Sequence, residues 1–111
     1  MRNITLEKQL SDAIKKHEVV RLQYKRQNYY RTIEPYIIYR STQDNILLGG
    51  TQTVDDSQPL KPPEPHNFEI ELISTLKITG KAFDYDEKFN PSAKEYRNGI
   101  FCVIQRQKAS K

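Results

Sequence analysis

Apolar residues at the start of the chain recur at spacings of three and four. Leu6, Leu10, Ala13, Ile14 and His17 share one helical face, and Lys8, Gln9, Asp12, Lys15 and Lys16 fill the other. The spacing predicts a helix over residues 4–17. Asn3 or Thr5 is its candidate cap, and Lys15, Lys16 and His17 end it where cations suit the helix dipole. From Val19 the period drops to two: Val20, Leu22 and Tyr24 alternate with Arg21, Gln23 and Lys25, as in a half-buried strand. Gln27-Asn28 is the expected turn into a second strand from Tyr29 to Glu34. Pro35 then interrupts the ladder, and Tyr36 to Arg40 resume as β, either across a bend or as a new strand. After the polar turn Ser41–Asn45, the run Ile46-Leu47-Leu48 reads as a short strand ended by Gly49-Gly50.

Residues 53–66 break the pattern. Pro59, Pro62, Pro63 and Pro65 stand beside Asp55, Asp56, Ser57 and Glu64, the composition of a stiff, partly extended connecting loop whose PxxP spacings need no docking partner. Adjacent carboxylates such as Asp55 and Asp56 are expected to be solvated there. Alternation returns from Asn67 to Ile73 and extends through Thr79 towards Gly80. Phe83, Tyr85 and Phe89 follow in a polar stretch, where Asp84, Asp86 and Glu87 read as a solvated turn. A last strand is expected from residue 98 or 99 to Ile104, with Cys102 as a small core residue, and Gln105–Lys111 as a frayed basic tail. One helix followed by four to six closely spaced strands predicts a mainly β (α+β) fold: a small antiparallel β-barrel from about 19 to 104, with the helix over one open mouth. The whole chain, 1–111, reads as one domain.

Composition adds a direction but no chemistry. Hydrophobic residues are 36% and charged residues 29%, a balance that folds. The net charge of +4 favours polyanions over cationic partners. A single cysteine closes no internal disulfide, and no apolar stretch reaches signal-peptide or membrane-span length, so a cytoplasmic protein without membrane contact is expected. His17, at the helix end, suits packing better than catalysis. With His66 and Cys102 it lacks zinc-ligand spacing, and no P-loop, GxGxxG, HExxH or Gly-x-Ser-x-Gly occurs. No catalytic residue, no metal and no cofactor is therefore expected, and the chain reads as non-enzymatic.

A family pattern fits much of the chain. Val20, Leu22 and Tyr24 form the first strand, Arg31 and Pro35 give Arg-x-x-x-Pro, and Tyr36 and Tyr39 follow. Leu47 and Gly49 end a further strand, and Phe68, Ile70, Ile73, Leu76 and Phe83 supply a Phe-x-Ile-x-x-Ile pattern with a distal Phe. Over roughly residues 8–90 this resembles the WYL domain. Asn45 and Ile46 stand where the family's Trp and Tyr would be, and Leu72 where it usually has an arginine. The resemblance implies an Sm-like or Src-homology-3-type barrel that binds nucleic acid or small effector ligands, in regulators of transcription or in phage defence, of the kind found in bacteria.

The candidate surface is the mixture of cations and rings between residues 21 and 40. Arg21, Arg26, Arg31 and Arg40 are interleaved with Tyr24, Tyr29 and Tyr39, and Lys25, Tyr30 and Tyr36 lie among them. Arginine offers two-pronged contacts to phosphate and tyrosine a face for base stacking, which suits single-stranded nucleic acid better than duplex. Alternation sets Arg21, Gln23 and Lys25 opposite Val20, Leu22 and Tyr24, and Tyr29, Arg31 and Ile33 opposite Tyr30 and Thr32. Arg31, Arg26 and Arg40 are expected to hold a nucleic-acid backbone or a small anionic effector, with Tyr24, Tyr29 and Tyr39 as walls. The alternative is a protein-interaction or assembly subunit that forms homo-oligomers, or binds a protein partner, through strand edges without binding nucleic acid.

Overall fold

A computed structural model of the chain describes residues 3–106. Helix α1 spans Ile4–Lys15, and the Asn3 side chain accepts from the Leu6 amide at 3.0 Å, satisfying one of the orphan donors of the first turn. Leu6, Leu10, Ala13 and Ile14 are buried, as their spacing requires. The helix stops short of His17, which has a φ of 55° and turns the chain into β1, Glu18–Tyr24. His17 is buried in that turn, stacked on Phe83 at 5.8 Å with Nε2 2.7 Å from the Gln105 carbonyl, so its role is packing.

The tight turn after β1 falls at Lys25-Arg26, two residues earlier than expected. Both have positive φ (53° and 60°), and the Gln27 amide donates to the Tyr24 carbonyl across the turn. Strand β2, Arg31–Arg40, is continuous through Pro35, with a register shift against its partner between Pro35 and Ile37. Pro35 stands where β2 exchanges neighbours: Arg31–Ile33 pair with β1, and Ile37–Tyr39 pair with β6, Ile100–Val103. A residue without an N–H is tolerated at such a break in the ladder. Pro35–Tyr39 are all buried, and a buried run without alternation means that both faces are covered. The cover comes from α1 and from the aromatic segment around Phe83, Phe89 and Tyr96.

Strand β3, Ile46–Asp55, does not end at the glycines. Gly50 lies across from Pro35, and a Cβ there would sit 2.3 Å from the Glu34 carbonyl oxygen, so the two backbones approach only because the side chain is missing. The proline segment is correspondingly shorter than expected: Asp55 belongs to β3, while Glu64 and Pro65 belong to β4, Glu64–Glu69. The expected strand from Asn67 onwards is broken by a single 3-10 turn, Ile70–Leu72, before β5, Ile73–Ala82.

The sheet is antiparallel in the order β4-β3-β2-β1-β5, with β6 beside the second half of β2. The pairings define a bulged antiparallel sheet with one helix, the mainly β (α+β) fold expected; no ladder joins β4 to β5 among the described residues, so closure of the sheet into a barrel is not shown. One core cluster runs through it, from Leu10 and Ile14 through Val20, Leu22, Ile33 and Leu48 to Phe68 and Ile70. No helix among the described residues is long and apolar enough to cross a membrane. Of the expected tail, residues 107–111 lie outside the described part, while Arg106 pairs with Glu87.

Candidate nucleic-acid interface

Strand register divides the cation-rich segment between two faces. Leu22 lies across from both Arg31 and Leu76, so the Arg31 side chain is on the core side of the sheet. Arg21 lies across from Thr32 and Lys77, on the opposite, outer side.

The inner group is built around Arg31, whose side chain is only 12% exposed. Its Nη1 donates to Gln52 Oε1 at 3.0 Å. Its Nη2 donates to Gln27 Oε1 at 2.9 Å and to the Tyr29 hydroxyl at 3.3 Å. The Asp55 carboxylate is 3.9 Å away, and the guanidinium lies near the rings of Tyr24, Tyr29 and Phe68. Burial pushes the Asp55 carboxyl up, but the Ser57 hydroxyl and amide, together with the charges of Arg31 and Lys61, outweigh it and hold the group below its ordinary value. Asp55 is therefore a buried partner and not a solvated loop residue. Tyr24 packs edge-on to Phe68 at 5.0 Å, and its hydroxyl accepts from the Glu69 amide at 2.9 Å. The Nη groups of Arg31 thus donate inside the protein, with Tyr24 and Tyr29 as walls.

In the outer group Lys77 is exposed, and Arg21 and Tyr30 are half-buried. Arg21 pairs with Asp56, and its guanidinium lies 5.1 Å from the Tyr30 ring centroid. Lys77 Nζ lies 4.9 Å from the same ring. Two cations on directly opposed residues repel; here one aromatic ring and one carboxylate hold them together. Beside them the Lys25-Arg26 turn presents two more exposed cations, with Lys25 Nζ 5.5 Å from the Tyr24 ring. The turn is tied to the start of β5, since the Lys25 amide donates to the Leu72 carbonyl and the Arg26 amide to Ser74 Oγ.

Tyr39 and Arg40 belong to neither group. They lie at the far end of β2. Tyr39 is 2% exposed and meets Tyr96 edge-on at 4.7 Å, and burial pushes its hydroxyl up to about 12. Arg40 pairs with Asp44 at 2.7 Å and lies over Phe101. Sequence reasoning missed Lys77, more than fifty positions from Arg21, because only the β1–β5 register brings the two together. No family model matches the chain, and comparison with curated proteins and with solved structures finds no significant match.

Proposed function

We propose that this protein is a non-enzymatic regulatory binding module whose outer sheet face holds a polyanion, with single-stranded nucleic acid as the best-fitting partner. The observation that carries this reading is the opposition of Arg21 and Lys77 across β1 and β5, clasped by Tyr30 beside the cationic Lys25-Arg26 turn. Such a pairing costs folding stability, and phosphate is the ligand that recovers the cost. A cationic sheet face with a central ring accepts an extended strand with unstacked bases. In this reading Arg31, Tyr24 and Tyr29 support the face from beneath, while Arg21, Lys25, Arg26, Tyr30 and Lys77 make the contacts. The resemblance to the WYL domain points the same way. It extends the proposal to a cytoplasmic role in transcriptional regulation or phage defence, where a small anionic effector is the other candidate for the same cations.

The test is a salt titration of binding to a labelled single-stranded oligonucleotide. Affinity is expected to fall steeply with salt, and Arg21→Ala and Lys77→Ala are each expected to flatten the logarithmic slope by about 0.7, the value for one phosphate contact on a single strand. An unchanged slope in both variants removes this face from the interface, and absence of binding at low salt removes nucleic acid as the partner.

A further inference from the structure

A cleft of about 340 Å³ opens between the β3–β4 pair and the segment 86–96. Its lining contrasts with the rest of a chain whose net charge is +4. Four rings border it: Phe89 lies 4.9 Å from Tyr36 and 6.2 Å from Tyr96 on one side, and the His66 imidazole of β4 stands on the other. Two carboxylates, Asp86 and Glu95, border it as well, and Lys88 is the one lysine or arginine in the lining. The negative field extends behind the wall. Burial first, and then the charges of Asp84 and Asp86, push the Glu34 carboxyl above its ordinary value. The Tyr96 hydroxyl is likewise pushed up to about 12, by burial and then by Glu95.

The cleft is also built to persist. The Tyr36 hydroxyl accepts from the Asp86 amide at 2.9 Å and ties the segment to β2. Asp86 Oδ1 accepts from the Lys88 amide at 2.9 Å and closes the next turn. Aromatic faces attract cations through their quadrupole, and nearby carboxylates add a direct charge term. A volume of about 340 Å³ lies at the small end of ligand cavities.

We infer that this cleft binds an alkylated ammonium group, held against Tyr36, Phe89 and Tyr96 with Asp86 and Glu95 as counter-charges. The group has two sources, a free quaternary ammonium compound or a methylated lysine side chain of a peptide. The site is separate from the outer sheet face and stands or falls independently of the nucleic-acid reading.

The test is a titration of the isotope-labelled full chain, followed by amide NMR shifts, with choline, with a trimethyl-lysine peptide, and with 3,3-dimethylbutanol as the uncharged counterpart of choline. Saturable shifts centred on Asn67, Asp86, Phe89 and Tyr96 are expected with at least one cation, and weaker ones with the alcohol. Preference for choline or for the peptide assigns the source. Glu95 is exposed, so Glu95→Gln is expected to fold and to weaken cation binding by roughly two- to fivefold, as loss of one exposed charge contact does. No saturable shift with either cation, equal binding of the neutral alcohol, or unchanged affinity in the folded Glu95→Gln variant overturns the inference.

Discussion

Arg31 and Arg21 sit on adjacent strands and look alike in the sequence, yet their side chains do opposite work. Arg31 is enclosed by Gln27, Tyr29, Gln52 and Asp55. Arg31→Ala leaves the buried Gln52 without its donor and Asp55 with Ser57 but without the nearby cation, and is expected to cost about 3 kcal/mol in chemical denaturation. Arg21→Ala removes an exposed pair and is expected to leave stability within about 0.5 kcal/mol while weakening oligonucleotide binding. Asp56 competes with phosphate for Arg21, so Asp56→Asn is expected to tighten that binding, as read by fluorescence polarisation at fixed salt. Asp55 carries a pH signature. Its folded value is depressed, so the stability it contributes is complete above its unfolded value and is lost as pH falls through the folded one. Stability of Asp55→Asn is expected to depend less on pH below about pH 4, the ordinary range of aspartate titration.

At the scale of elements, the β1–β2 turn and the β2–β3 crossing show where local preference is overridden. Lys25 and Arg26 both adopt positive φ, a conformation that asparagine and glycine fill without strain. The double change Lys25→Asn with Arg26→Gly is expected to raise stability by about 1 kcal/mol while reducing nucleic-acid affinity, since the same turn supplies two exposed cations. The opposite holds at Gly50. Its Cβ would collide with the Glu34 carbonyl, and Gly50→Ala is expected to cost about 2–3 kcal/mol by forcing β2 and β3 apart.

The whole molecule combines a basic outer face with an acidic aromatic cleft. Its sheet path ends on β4 and β5, each with a ladder to a single neighbour among the described residues. Both carry features that discourage pairing with another copy: Pro65 in the short β4, and in β5 Lys77, Lys81 and Gly80 with φ of 78°. A constant monomer mass across a wide concentration range is therefore expected in light scattering. A mass that grows with concentration would favour the assembly subunit over the polyanion-binding module.

Local periodicity was enough to locate α1 and its buried face, and to assign β1 and the alternation of its side chains, because these follow from nearest-neighbour geometry along one element. Pro35 was legible as an interruption, but its accommodation within one long strand was not, since that depends on Gly50 from another strand. Composition alone makes the proline segment a loop, whereas ladder pairing with β2 and β3 draws both its ends into strands. Most of all, the sequence places Arg21, Arg31 and Arg40 in one cationic run. Tertiary pairing sends Arg21 outward to Lys77, Arg31 inward to Gln52 and Asp55, and Arg40 to the far end beside Phe101. The physical reason is that alternation states which residues share a side of a strand, while which side is buried, and what lies across it, is decided only by the strands that pair with it.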